Sequence, residues 1–124
     1  MIMIYKKTEA HQLTDNLNTR ELDCKCDEHH CTRTLVHIDI PAMFEDLRRI
    51  LDVPLTVTSG FRCSFHNYDV GGVCTSRHTA GMAIDIKKPE DVPFDKFYRA
   101  CNSVFPFVLP YKHKDFCHCD VDRR

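Results

Sequence analysis

The stretch SRHTAGMAIDI, residues 76–86, decides how the rest of the chain is interpreted. In it, His78 lies seven residues before Asp85, and Gly81 separates the two. After the glycine, the larger apolar residues occupy alternate positions: Met82, Ile84 and Ile86. Successive side chains of a strand point to opposite faces, so Ala83 and Asp85 share the other face. The stretch therefore predicts a strand with one apolar, buried face and a carboxylate on the opposite face.

An imidazole and a carboxylate placed in this way are suitable metal ligands. A zinc site built for catalysis uses three protein ligands and keeps one position open, so a third ligand is needed. The stretch DFCHCDV, residues 115–121, also alternates and places His118 and Asp120 on one face. If the two strands pair, His78, Asp85 and His118 can converge as the three ligands of one zinc ion.

These residues carry a resemblance to a known family. Ser76, His78, Gly81, Ala83 and Asp85 form the pattern S-x-H-x-x-G-x-A-x-D, and an H-x-D follows at residues 118–120. The chain thereby resembles the zinc peptidases that include the D-Ala-D-Ala carboxypeptidases and the L-alanyl-D-glutamate endopeptidases. Upstream segments match as well, at residues 58–63, 66–67 and 71–72. The resemblance runs from about residue 39 to residue 121 and is greatest to the compact branch that is common in phage lytic enzymes.

The resemblance implies roles for residues beyond the ligands. Asp115 stands three positions before His118, where family members carry an acidic general base. Arg62 is expected to stabilise the developing oxyanion or to hold a substrate carboxylate, since its permanent charge and rigid donor fork suit both tasks. Ser76 is expected to bond near the ligands or the substrate. Asp120 is expected to orient a ligand imidazole.

By resemblance, the chain is predicted to be a zinc metallopeptidase that hydrolyses peptide bonds in peptidoglycan stem peptides. The alternative is a catalytically inactive, zinc-stabilised module with a binding or structural role, because a fold alone does not establish catalysis. A third, minor alternative is a metal-free domain held by disulfides. The presence of both Asp115 and Arg62 favours the enzyme. Carboxypeptidase and endopeptidase activity stay equally open.

Length and charge restrict the partners and the organisation. The 124 residues predict one domain, with an N-terminal arm and cysteine-rich loop at 1–36 and a catalytic core at 37–124. The formal net charge of −1 gives no reason to expect nucleic acid or an anionic membrane as a partner. A monomer is expected. The first residues lack the order of a signal peptide, which predicts synthesis in the cytoplasm and action on the cell wall after release, in a phage or prophage context.

Three of the eight cysteines lie close together before residue 32: Cys24, Cys26 and Cys31. With His29 and His30 nearby, they are candidates for a structural metal site, but their spacing does not fit the usual C-x₂-C knuckle. The favoured interpretation is half-buried thiols, because a reducing compartment disfavours disulfides. One catalytic zinc ion is therefore expected, without a second, structural ion.

Other interpretations of the cysteines follow from location and register. Outside the cell, Cys24 or Cys26 could form a disulfide with Cys63 or Cys74, although connectivity cannot be deduced from sequence. Cys117 and Cys119 flank His118, and alternation places both thiols on the face away from the metal, in the core. A bulge that shifted the register would let them compete for zinc.

The remaining pattern predicts an α+β fold, with two main helices packed on a small, mostly antiparallel sheet. The first helix is predicted to start at Asp39 as N-cap, to bury Met43, Leu47, Ile50 and Leu51, and to end before Pro54. A strand follows at residues 55–58, then a long loop at 59–75 that is expected to form a wall of the active site. The second helix is predicted over residues 94–105, and a short strand at 107–109 precedes the last ligand strand.

Overall fold

A four-stranded antiparallel sheet forms the centre of the molecule. The computed structural model describes residues 1–26 and 31–122. The strands β5 (Thr56–Ser59), β6 (Ala83–Lys87), β7 (Phe107–Tyr111) and β8 (Phe116–Asp120) lie in the order β5-β6-β8-β7. Each neighbouring pair is antiparallel. The strands predicted from residues 55–58, 83–86 and 107–109 are thus confirmed, and the predicted ligand strand is central.

The two long helices pack on each other and cover the apolar face of this sheet. Helix α1 spans Asp39–Leu51, and α3 spans Phe94–Val104. Their buried side chains join a core that includes Phe44, Leu47 and Phe97, all fully buried. Cys117 and Cys119 of β8 belong to the same core, as alternation predicted. The α+β class expected from the sequence is confirmed.

Two details of the predicted α1 are wrong. Asp39 is the first helical residue, and Ile38 precedes it as a cap without a side-chain bond. Ile50, expected in the core, is 54% exposed. The buried stripe runs through Ile40, Phe44, Leu47 and Leu51. Spacings of three and four residues keep those four on one face, whereas Ile50 lies beside that stripe.

The N-terminal arm is a structured layer that shares the main core. Strand β1 (Ile2–Lys6) pairs with β4 (Arg33–His37), and β2 (Gln12–Thr14) pairs with β3 (Leu17–Asn18). A 3₁₀ turn at Thr19–Leu22 follows, closed by a capping box between Asn18 and Glu21. Leu17 and Leu22 are fully buried in the same core cluster as Phe44.

The loop predicted at residues 59–75 contains a short helix, α2, at Ser64–Asp69. Cys63 caps it, because its Sγ accepts a bond from the backbone N–H of His66. Two further 3₁₀ turns, Arg77–Ala80 and Lys112–Lys114, precede β6 and β8. Both ligand strands therefore begin directly after a tight turn.

Candidate metal centre and active-site cleft

The pairing of β6 with β8 brings two candidate ligands face to face. Asp85 stands opposite His118 in the strand register. His78 lies in the 3₁₀ turn Arg77–Ala80, whose left-handed end at Gly81 leads into β6. All three candidate ligands are buried, with relative exposures of 2% for His78, 5% for Asp85 and 8% for His118.

Three ligand atoms form a compact triangle. His78 Nε2 lies 3.0 Å from Asp85 Oδ1 and 3.2 Å from His118 Nδ1. His118 Nδ1 lies 3.3 Å from Asp85 Oδ1. Zinc bonds to nitrogen and oxygen of about 2.0–2.1 Å place two tetrahedral ligands about 3.3 Å apart. The triangle has the dimensions of one face of such a tetrahedron, so these residues fit a zinc ion.

Hydrogen bonds fix which nitrogen of each imidazole faces the triangle. His78 Nδ1 lies 2.7 Å from the carbonyl oxygen of Gly60, which can only accept a bond. His118 Nε2 lies 3.3 Å from Asp120 Oδ2, a carboxylate acceptor. In each neutral ring the outer nitrogen therefore carries the hydrogen and the inner nitrogen directs its lone pair at the triangle. Three lone pairs directed at one point favour a cation there.

The electrostatics of the site favour the ionised forms of both Asp85 and His118. Burial opposes ionisation of Asp85, but its contacts with His118 and His78 outweigh burial and lower the pKa of the carboxyl group to about 2. Burial also opposes the charged form of His118, yet its bonds to Asp120 and Asp85 outweigh burial and raise its pKa. Asp85 is thus ionised at neutral pH, as a metal ligand must be.

Two glycines allow the backbone to approach closely around His78. A Cβ on Gly60 would stand 2.6 Å from the Cα of Leu22, so the segment that supplies the carbonyl to His78 has no room for a side chain. Gly81 has a φ of 73° and would place a Cβ 2.5 Å from the carbonyl oxygen of Leu35. Gly60 is therefore required for close approach, and Gly81 for both close approach and a positive φ.

Arg62 contacts the same candidate metal centre through Asp85. Its Nη2 donates to Asp85 Oδ2 at 3.2 Å, while Asp85 Oδ1 faces the triangle. Its Nε donates to Ser59 Oγ and its Nη1 to Asn67 Oδ1, at 3.0 and 3.3 Å. The guanidinium therefore orients the ligand carboxylate and is itself held by two polar side chains.

A cleft of about 350 Å³ opens above the triangle. Arg62, His78, Asp85 and His118 line it, together with residues 70–73 of the loop after α2. Ser76 also lines the cleft, and its Oγ accepts the backbone N–H of His78 at 3.3 Å, which stabilises the ligand turn. The predicted loop wall is thus confirmed. The cleft combines a candidate metal site with a fixed cation, an arrangement that suits metal-assisted hydrolysis.

The sequence model of the family described as Peptidase M15 matches residues 15–120. The chain belongs to the peptidase M15 family. This match confirms the family resemblance read from Ser76, His78 and Asp85, and M15 peptidases are zinc-dependent. Among curated proteins, none matches the chain significantly. Within residues 1–26 and 31–122, no helix is both long and apolar enough to cross a membrane.

One predicted residue of this M15 peptidase does not lie with the others. Asp115 is exposed, adopts a left-handed conformation with a φ of 57°, and ends the turn before β8. Its neighbours Lys114 and Phe116 line the cleft, whereas Asp115 is absent from the lining. Phe116 and His118 share the face of β8 toward the cleft, whereas Asp115 precedes the strand.

Asn67 has a function in the M15 site that the sequence did not reveal. It is buried, its Oδ1 accepts from Arg62, and its Nδ2 donates to the carbonyl oxygen of Val73 at 2.7 Å. Asn67 thereby connects Arg62 to the loop that forms one wall of the cleft. The family resemblance includes Asn67, but the sequence does not predict its contact with Arg62, because that contact depends on the helix α2.

The N-terminal cysteines come together away from the M15 metal centre. Cys24, Cys26 and Cys31 form a group with Cys63, which the sequence indicated only as a possible disulfide partner. His29 and His30 lie outside the described residues. No local spacing could have added Cys63, since it is far along the chain from Cys31 and reaches the group through the fold.

Proposed function

We propose that this chain is a zinc metallopeptidase that hydrolyses peptide bonds in peptidoglycan stem peptides. The observation that carries the proposal is the triangle of His78, Asp85 and His118 at the base of a cleft that Arg62 also lines. The match to the peptidase M15 family over residues 15–120 supports the reaction class and the type of substrate.

His78, Asp85 and His118 would hold one catalytic Zn²⁺. When bound, the ion supplies a Lewis acid, which can lower the pKa of water to about 7 and polarise a carbonyl group. Gly60 and Asp120 hold the two imidazoles in the orientation that ligation needs. Burial of all three ligands limits competition from solvent.

Arg62 provides positive charge beside the scissile carbonyl. Its guanidinium is fixed by Ser59 and Asn67 and presents a rigid fork of donors. It can therefore stabilise the oxyanion as charge develops on the carbonyl oxygen. Lys114, which also lines the cleft, offers a second cation for a substrate carboxylate.

We assign proton transfer to Asp115. Its carboxylate would accept a proton from the attacking water and donate one to the leaving amine nitrogen. The carboxylate that lines the cleft belongs to Asp85, which is already assigned as a metal ligand and so is not the proton acceptor. Asp115 adjoins the lining residues Lys114 and Phe116, and catalytic hydrogen bonds often form only when substrate is bound.

Substitution of Asp115 by Asn tests this assignment. We expect zinc content to be unchanged and kcat to fall about 100-fold or more, because the amide cannot take up the proton. Zinc content would be measured by elemental analysis, and cleavage of peptidoglycan fragments would be followed through new amino termini and free D-Ala.

Asp52→Asn is the matched control. Asp52 is also exposed and left-handed, with a φ of 54° against 57° for Asp115, and ends a helix that does not line the cleft. Both substitutions remove one charge and keep a residue that tolerates this conformation. Full activity in Asp115→Asn with an active wild type would contradict the role of Asp115.

The second candidate function is a catalytically inactive module that zinc stabilises. The exposure of Asp115, outside the cleft lining, is the observation that favours it. Wild-type protein with bound zinc and no cleavage of any fragment would select this candidate.

The bond that is cut and the setting of the reaction are part of the proposal. Release of free D-Ala from a pentapeptide stem would identify a carboxypeptidase, and new internal amino termini would identify an endopeptidase. We propose that the protein acts as a monomer on the wall after release from the cell, in the manner of a phage lytic enzyme. Nucleic acid and membranes are not proposed partners.

A further inference from the structure

Four thiols from two distant parts of the chain meet in what we call the four-cysteine cluster: Cys24, Cys26, Cys31 and Cys63. The sulfur of Cys24 lies 3.7 Å from that of Cys63, and the sulfur of Cys26 lies 3.5 Å from that of Cys31. All four sulfurs lie within 4.8 Å of one another. Cys24 is buried and the other three are half-buried.

The sulfur–sulfur distances match tetrahedral zinc ligation better than disulfide bonds. Zinc–sulfur bonds of about 2.3 Å place the sulfurs of a tetrahedral site about 3.8 Å apart. A disulfide requires about 2.05 Å. Two pairs in the cluster, at 3.5 and 3.7 Å, are near the tetrahedral separation. Two separate disulfides would also not require all four sulfurs to lie close together.

The surroundings of the cluster suit negatively charged sulfur. The backbone N–H of Cys63 donates to the sulfur of Cys24 at 3.3 Å, and the N–H of His66 donates to the sulfur of Cys63 at 3.5 Å. Lys7 Nζ lies 3.3 Å from the sulfur of Cys26 and 3.7 Å from that of Cys31. Four thiolates around a divalent cation carry a net charge of −2, which the ammonium group partly offsets.

We propose that the four-cysteine cluster binds a structural Zn²⁺ ion, separate from the ion in the catalytic cleft. On binding, the four thiols release their protons to solvent and all four sulfurs ligate the metal. Four protein ligands close the coordination shell, so no position is left for water or substrate, which distinguishes a structural site from a catalytic one. Tetrahedral sulfur ligation selects zinc among the common divalent ions.

The position of the cluster gives this ion a function. Cys63 follows Arg62 directly and caps α2, the helix that carries Asn67. The other three cysteines belong to the N-terminal arm. A bound zinc ion would therefore join the arm to the segment that positions Arg62 in the cleft. The proposal is independent of whether the cleft is catalytically active.

Zinc content of single variants tests the proposal. Wild-type protein, purified with a non-metal-binding reductant, is expected to contain about two zinc ions per chain, and Cys26→Ser and His118→Ala about one each. Cys74→Ser is the matched control and should keep about two, because Cys74 is exposed and lies outside the cluster.

Cobalt substitution provides a measurement that does not depend on the folding of a cysteine variant. Wild-type protein and His118→Ala, reconstituted with Co²⁺, should both show the near-ultraviolet thiolate-to-cobalt charge-transfer band and intense visible bands typical of tetrahedral sulfur ligation. Four thiols in each should react with a thiol reagent only after a chelator is added. The readout is spectroscopic, so failure of the peptidase proposal would not affect it.

Three results would overturn the proposal. The first is a His118→Ala variant that folds but binds no zinc and gives no thiolate-to-cobalt charge-transfer band. The second is disulfides joining Cys24 to Cys63 and Cys26 to Cys31 in reduced-purified protein, detected by mass spectrometry after alkylation. The third is iron in place of zinc in protein from cells supplied with both metals.

Discussion

At the scale of single residues, the candidate metal centre depends on the groups that hold its candidate ligands as much as on those ligands. Gly60 presents a carbonyl to His78, Asp120 accepts from His118, and Arg62 binds the outer oxygen of Asp85. Each contact fixes one ligand in the orientation that directs its inner atom at the triangle. Asp120 is the most deeply buried of these supporting side chains.

Asp120→Asn should therefore weaken zinc binding while leaving the fold intact. The amide is a poorer and uncharged acceptor for the N–H of His118, and loss of such a partner typically costs about 10–100-fold in metal affinity. Competition with a chromogenic chelator would measure the change. Asp122→Asn is the control, since Asp122 binds Arg77 at 2.7 Å and does not contact a ligand. Equal zinc affinity in wild type and Asp120→Asn would contradict the role of Asp120.

At the scale of elements, the hairpin β2–β3 is fastened to α1 by one carboxylate. Glu45 accepts a bond from Thr14 Oγ1 at 2.6 Å and two from Asn16 Nδ2, at 3.0 and 3.1 Å. The bond from Thr14 is the main cause that lowers the pKa of Glu45 in the folded protein, and burial opposes it only in part. The ionised form of Glu45 therefore stabilises the attachment of the arm.

Glu45→Gln should reduce stability at neutral pH by about 1 kcal/mol, through loss of charge-assisted hydrogen bonds. Because the folded pKa lies below the unfolded value, the contribution is present above the unfolded pKa and is lost as pH falls through the folded pKa. Urea unfolding at about pH 7 and about pH 3 should thus show a difference that is smaller in acid. The control Asp46→Asn removes an exposed pair with Arg49 and should change stability little at either pH. A difference that persists in acid would contradict the assignment.

At the scale of the whole molecule, the arm and the catalytic core share one apolar cluster. Leu22 is 1% exposed and packs in the cluster that contains Phe44 and Ile84. Its backbone also accepts from the N–H of Phe61 at 2.9 Å, next to Gly60. The boundary predicted near residue 36 therefore does not separate two cores, and unfolding of the arm should disturb the metal site.

Leu22→Ala should lower the free energy of unfolding by about 2–5 kcal/mol, the usual cost of a cavity in a packed core. Ile50→Ala removes as many carbon atoms from an exposed position and should change stability by about 0.5 kcal/mol or less. Thermal unfolding followed by circular dichroism and by zinc release should give one midpoint for both signals. Separate midpoints in wild type would contradict a shared core.

Local patterns determined much of the fold. The alternation after Gly81 and around His118 predicted two strands, with Cys117 and Cys119 in the core, because a strand has a fixed period of two. The details that were missed concern interactions with the rest of the molecule. Ile50 fits the apolar pattern but lies outside the packed face of α1, and α2 is too short to produce a periodic signal.

The sequence by itself determined the family, the fold class and the candidates His78, Asp85 and His118, because these depend on short, fixed spacings within strands and turns. Only the tertiary structure decided that Arg62 binds Asp85, that Asp115 lies outside the cleft lining and that Cys63 joins Cys24, Cys26 and Cys31. Those contacts join parts of the chain that are far apart in sequence. These contacts arise from strand register and helix packing, which cannot be predicted from the spacing of residues along the chain.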